Sequence, residues 1–82
     1  MEYLKELTIG QIAAIIRKDW LKINFAAKPY LDAMKYLDDL YDSYGYDSGR
    51  SIVSYFLSNA GTWRGPTAKA IKSELKSRIA SN

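Results

Sequence analysis

The stretch Asp47-Ser48-Gly49-Arg50-Ser51-Ile52-Val53-Ser54-Tyr55-Phe56-Leu57-Ser58-Asn59-Ala60-Gly61 decides the fold. Asp47 or Ser48 supplies a side-chain oxygen for the first free N–H groups of a helix, and Gly61 stops that helix. Between them, Ile52, Val53, Tyr55, Phe56, Leu57 and Ala60 make a helix over roughly Ser48 to Ala60 that is apolar around most of its circumference. A surface helix needs only one apolar stripe, so this pattern belongs to the central helix of a small bundle. The flanking segments must then provide the helices that cover it.

Upstream, Pro29 biases Lys28 away from helical angles and is itself suited to a first helical position. Tyr30, Met34, Leu37, Tyr41 and Tyr44 then recur at the helical period, and Leu31 and Leu40 widen the face. The spacing predicts a helix from Pro29 to Tyr44, with Gly45 as its left-handed cap. Asp32, Asp38, Asp39 and Asp42 occupy much of its other side. Asn24 to Lys28 is a connection in which Phe25 is expected to pack back on the core. Before it, Thr8 and Gln11 have capping-box spacing, and Leu7 and Ile12 stand where a hydrophobic staple would. Ile9, Ile12, Ile16 and Trp20, with Ala13 beside them, form the stripe of a first helix over Ile9 to Lys22. Arg17, Lys18 and Lys22 fall towards its C-terminal end, where the helix dipole favours cations. Downstream, a fourth helix begins either with Thr62 as its cap or with Gly65 followed by Pro66. Ala68, Ile71, Leu75 and Ile79 give it a single stripe to about Ala80. The fold class is all-α, a compact bundle of four short helices, in a single helical domain over residues 1–82.

The chain has 82 residues, and neither histidine nor cysteine occurs among them. A core of this size leaves roughly 3–5 kcal/mol of stability. Without cysteine there is no disulfide framework, thiolate nucleophile or thiolate metal site, and without histidine there is no imidazole base near neutral pH. These absences, with no recognisable pocket motif, point to a non-enzymatic protein with no catalytic residue, no metal site and no cofactor. The longest apolar run, Ile12 to Ile16, falls far short of the ~20 residues of a membrane span. The N-terminus lacks the apolar core of a secretory signal, so a cytoplasmic location without membrane contact is expected.

The net charge of +3 conceals a segregation. Residues 1–28 hold five basic and three acidic side chains, residues 29–47 one basic and five acidic, and residues 48–82 six basic and one acidic. Lys69, Lys72 and Lys76, spaced i, i+3, i+7, share one side of the fourth helix, with Arg64 ahead of it. Such a stripe can neutralise phosphates, and an exposed Trp63 could stack on a base. It equally suits a solvated face opposite an apolar one. The acidic second helix would repel a phosphate backbone, which counts against helix-turn-helix DNA binding, and the fourth helix lacks the asparagine and glutamine usual in base readout. The aspartates do not have the spacing of a calcium-binding helix-loop-helix and read as a solubilising face. Seven tyrosines occur, with Tyr41, Tyr44 and Tyr46 crowding the turn before the third helix. Tyrosine, tryptophan and arginine dominate interface hot spots, so Tyr44, Tyr46, Trp63 and Arg64 are the expected partner anchors. Lys69, Lys72 and Lys76 are expected to orient the partner.

The order Trp20, Phe25, Ala26, Pro29-Tyr30-Leu31, Ala33-Met34, Tyr44-Gly45-Tyr46-Asp47-Ser48, Tyr55-Phe56-Leu57, Asn59-Ala60, Thr62-Trp63-Arg64-Gly65 and Ala68 resembles a group of small proteins encoded by tailed bacteriophages and prophages. The likeness runs from about Ile9 to Leu75, and its most distinctive piece is Leu57-Ser58-Asn59-Ala60-Gly61-Thr62-Trp63-Arg64-Gly65. Pro66 departs from the pattern, which has an acidic residue there. The group has no established activity, so the resemblance implies an origin and supplies no catalytic residue. It implies a viral accessory protein acting in the cytoplasm of a bacterial host by binding a host or phage protein, for example to inhibit a defence system or host enzyme. The alternative is a nucleic-acid-binding accessory protein that uses the basic fourth helix. A homodimer pairing acidic and basic elements is a further expectation.

Overall fold

The Thr8 hydroxyl accepts a hydrogen bond from the Gln11 N–H at 3.0 Å, and the Gln11 side-chain oxygen accepts one from the Thr8 N–H at 2.8 Å. This reciprocal box starts α1 (Ile9–Asp19) at the expected residue. The helix stops before Lys22. Trp20 still donates its N–H to the Ile16 carbonyl at 2.8 Å, but its backbone is extended and its indole turns into the core. The computed structural model describes residues 2–81, in which a 3-10 turn (Glu2–Glu6) precedes α1.

The connection after α1 runs opposite to expectation at Phe25, whose side chain is 88% exposed. Asn24 donates from its amide to the Asn59 carbonyl at 2.9 Å, and its side-chain oxygen accepts from the Ala26 N–H at 3.2 Å. This fixes the turn so that the small Ala27, not Phe25, enters the core. The second helix, α2 (Lys28–Met34), ends ten residues earlier than its periodicity predicts. Leu37 and Leu40 are buried as expected, but on non-helical backbone.

Two causes end α2. The Asp42 carboxylate accepts from the N–H groups of Asp38 and Asp39 at 2.7 and 3.3 Å, and that of Asp39 accepts from Tyr41 and Asp42 at 2.8 and 3.2 Å. Short acidic side chains thereby replace helical backbone acceptors. In addition, the carbonyls of this segment serve other helices. Leu37 and Asp38 accept from Gly10 and Ile9 at the start of α1, at 2.8 and 3.0 Å. Leu40 accepts at 3.1 Å from the Arg50 N–H, in the first turn of the third helix. Residues 37–40 thus satisfy first-turn N–H groups that no bond inside those helices can reach.

A short antiparallel pair follows, β1 (Ser43–Tyr44) and β2 (Asp47–Ser48), with Ser43 opposite Ser48 and Tyr44 opposite Asp47. Gly45, at φ +66°, takes the left-handed conformation that a two-residue hairpin loop requires. It therefore serves a β-turn instead of capping a helix, and the all-α expectation is corrected to four α-helices with a small antiparallel hairpin. Ser48 then caps α3 (Gly49–Ser58), its hydroxyl accepting from the Ser51 N–H at 3.2 Å. Ile52, Val53 and Phe56 are buried, Leu57 is half-buried and Tyr55 is exposed, so α3 is apolar over less of its girth than the sequence suggested. The last helix, α4 (Pro66–Ala80), takes the Gly65-Pro66 start, with Gly65 at φ +115°.

α3 packs against both α2 and α4, and α1 against α2 and α4. All the buried hydrophobic side chains belong to one cluster, running from Leu4 to Leu75. Ala68, Ile71 and Leu75 carry the stripe of α4 into it, while Ile79 is only partly covered. Among the described residues no buried side chain is polar or charged.

Candidate functional site

Trp63 sits in the turn between α3 and α4 and is 2% exposed. Its ring stacks on Trp20 with centroids 5.8 Å apart and meets Phe56 edge-on at 6.4 Å, and its Nε1–H donates to the Asp19 carboxylate at 2.8 Å. The expectation of an exposed aromatic anchor at Trp63 is therefore wrong. The indole fills the space where the ends of α1 and α3 meet, and its one polar atom is satisfied there. The residue type alone carries both readings, because a tryptophan that plugs a core and one that anchors a partner look the same in sequence.

Arg64, Lys69 and Lys72 line a groove of about 470 Å³ whose floor is Trp63, Gly65 and Ala68. Arg64 and Lys69 are exposed and Lys72 is half-buried. Lys72 is fixed in place. Its ammonium donates to the Trp63 carbonyl at 2.6 Å and lies 5.8 Å from the centroid of the Trp63 ring. Burial lowers its pKa from the ordinary lysine value, and the charges of Lys76 and Arg64 lower it further. The structure thus brings Arg64, Lys69, Lys72 and Lys76 into one electropositive region. Among the described residues, none of the four has an ion-pair partner, whereas Arg78 on the same helix pairs with Glu74 at 2.7 Å and Arg17 pairs with Asp32.

Tyr44 and Tyr46 lie elsewhere. Tyr46 projects from the hairpin loop, fully exposed, and Tyr44 stacks on Tyr36 with centroids 5.5 Å apart, both rings partly in solvent. The hairpin leads directly into the start of α3, and Trp63 follows its end, so ~15 Å of helix separates the two groups. α4 runs back alongside, because Arg50 near the start of α3 donates to the Ile79 carbonyl near the end of α4 at 2.6 Å. The expected single surface joining Tyr44 and Tyr46 to Trp63 and Arg64 is therefore divided between two ends. Asp38, Asp39, Asp42 and Asp47 lie at the tyrosine end. The carboxylates of Asp39 and Asp42 turn inward onto backbone N–H groups and brace the approach to the hairpin.

Sequence reasoning missed Tyr36, which it did not single out, and the exposure of Leu21 and Phe25 on the α1–α2 connection. For Phe25 the available signal was Asn24, whose short amide can hold a turn against a neighbouring backbone. No helix of the described residues is long and apolar enough to cross a membrane. The chain matches no known protein family, no curated protein and no solved structure.

Proposed function

We propose that this chain is a non-enzymatic accessory protein that binds another protein through the hairpin end. The observation that carries the reading is Tyr46, a whole aromatic side chain held in solvent on a two-residue loop of fixed geometry. A tyrosine side chain turns about only two bonds, so it loses little conformational entropy on binding while supplying large amphipathic contact area. The Tyr36–Tyr44 stack beside it and the exposed Tyr41 enlarge the aromatic surface. Together these residues suit the centre of an interface of ordinary size, about 800 Å² on this side. The resemblance to small phage and prophage proteins extends the proposal to a bacterial cytoplasm and to a host or phage target whose activity is altered by occupation of its surface. Affinity purification with the tagged chain, from a bacterial lysate containing the target, tests it. Wild type should enrich a specific protein that Tyr46→Ala and Tyr44→Ala variants lose, with both variants shown to be folded by their thermal transitions. Full retention of that protein by both variants would exclude the hairpin as the contact.

A further inference from the structure

We infer that the opposite end of the molecule, the groove of Arg64, Lys69 and Lys72 continued by Lys76, binds the phosphodiester backbone of nucleic acid without reading its sequence. This goes beyond the hairpin proposal and rests on different residues. Four cations gather here, and none of them has a carboxylate within ion-pair distance among the described residues. Burial, and behind it the neighbouring charges of Lys76 and Arg64, disfavours the charged form of Lys72. An anion in the groove would offset the mutual repulsion of these charges more strongly than solvent and dissolved salt do. The side-chain acceptor tied to this end by a hydrogen bond is Asp19, and its bond is to Trp63.

The sequence argument against a phosphate partner was the acidic segment 29–47. The fold answers it in part, because Asp38, Asp39, Asp42 and Asp47 lie towards the hairpin end, with the length of α3 between them and the groove of Arg64, Lys69 and Lys72, while Lys76 carries the stripe along α4 towards that end. The carboxylates of that segment therefore do not neutralise the groove, and a polyanion can approach its cations.

Two features favour a nucleic-acid backbone over an acidic protein. The lysines advance along α4 by ~4.5 Å from Lys69 to Lys72 and ~6 Å from Lys72 to Lys76. Successive phosphates of one strand advance ~3.4 Å along the duplex axis, a spacing of the same order as that of the lysines, so a polyanion of regular charge matches the stripe. A protein partner is held chiefly by side chains seated in enclosed pockets, whereas this groove is shallow and open, with Arg64, Lys69 and Lys72 along its rim. The burial of Trp63 removes it as a stacking platform for bases. Lys69 and Lys76 are exposed point charges on a helix without glutamine or asparagine, which suits backbone contact and not base readout.

The test is fluorescence anisotropy of a labelled DNA duplex of mixed sequence, titrated with the full chain at several salt concentrations. Binding should weaken with salt at a slope of about −3 to −4 in log–log form, as expected for four released counterions. Lys69→Gln and Lys76→Gln should each reduce the slope by about one, and duplexes of different sequence should bind alike. Both side chains are exposed and unpaired, so these variants keep the fold. Lys5→Gln, on the 3-10 turn that Arg78 ties to the far end of α4 through the Leu4 carbonyl, should leave the slope unchanged. Tyr46→Ala should bind the duplex as wild type does, which separates this result from the fate of the hairpin proposal. Absence of binding at low salt, a slope untouched by Lys69→Gln and Lys76→Gln, or equally tight binding of polyglutamate at the same ionic strength would each overturn the assignment.

Discussion

Trp63 shows how one side chain can change role without changing position in the sequence. Its ring is enclosed by Trp20 and Phe56, and Lys72 holds the carbonyl of the same residue. Truncation opens a cavity and leaves the Asp19 carboxylate without its donor. Trp63→Ala should cost about 3–5 kcal/mol. That loss is comparable with the whole stability of roughly 3–5 kcal/mol expected for a core this small. The variant should therefore be largely unfolded at 25 °C in a urea or thermal melt, whereas Trp63→Phe, which keeps an aromatic ring in the space, should retain a cooperative transition at reduced Tm. A cooperative transition near the wild-type Tm for Trp63→Ala would contradict the packing described. The pattern of residues around Trp63 was legible as important, but not the reason. Importance for the core and importance for a partner both select aromatic residues, and only burial distinguishes them.

Among the elements, the segment between α2 and the hairpin is the one whose structure the sequence misstates. Of its expected apolar face, Leu37 and Leu40 are buried, whereas Tyr41 and Tyr44 stand exposed. Its backbone is not helical, because the carbonyls of residues 37, 38 and 40 are taken by N–H groups of α1 and α3. The close approach this demands is visible at Gly10, where a Cβ would stand 2.7 Å from the Lys35 carbonyl oxygen, and at Gly49, where it would stand 2.8 Å from that of Asp39. Asp42 keeps the segment in shape by accepting from two backbone N–H groups. Asp42→Ala should therefore lower stability by about 1–2 kcal/mol, a fall in Tm of roughly 5–10 °C, while Asp42→Asn, which retains an acceptor oxygen, should lose less. Equal losses for the two substitutions would show that the charge and not the acceptor matters there. By contrast, the start of α1 was fully legible, because a capping box is local and needs only residues three apart.

At the scale of the whole molecule, the shared carbonyls couple helices that are distant in sequence. Ile9 and Gly10 bond to residues 37 and 38, Gly49 and Arg50 bond to residues 40 and 42, and Arg78 and Arg50 tie the end of α4 to the first turn and to α3. First-turn amides usually exchange with solvent by fraying, since they lack helical acceptors. Here Ile9, Gly10, Gly49 and Arg50 should exchange only with global unfolding, with protection matching that of Ile16 and Phe56 in native-state hydrogen exchange. Rapid exchange at Ile9 and Gly49 would show that the cross-capping does not persist in solution. The radius of gyration, 11.4 Å, agrees with the ~12 Å expected for a compact chain of this length.

The sequence by itself determined what depends on near neighbours and on residue chemistry. It identified the periodic apolar positions that became the core, the Thr8–Gln11 box, the Gly65-Pro66 start of α4 as one of two alternatives, and the exclusion of thiol and imidazole chemistry. It also located Lys69, Lys72 and Lys76 on one side of one helix. Tertiary structure alone decided whether Trp63 and Phe25 face inward, where the second helix stops, and how the charged segments are arranged in space. The physical reason is common to all three. Each depends on a competitor for space or for a hydrogen bond that lies tens of residues away: Trp20 for Trp63, Asn59 for the turn holding Phe25, and the free N–H groups of α1 and α3 for the carbonyls of residues 37–40.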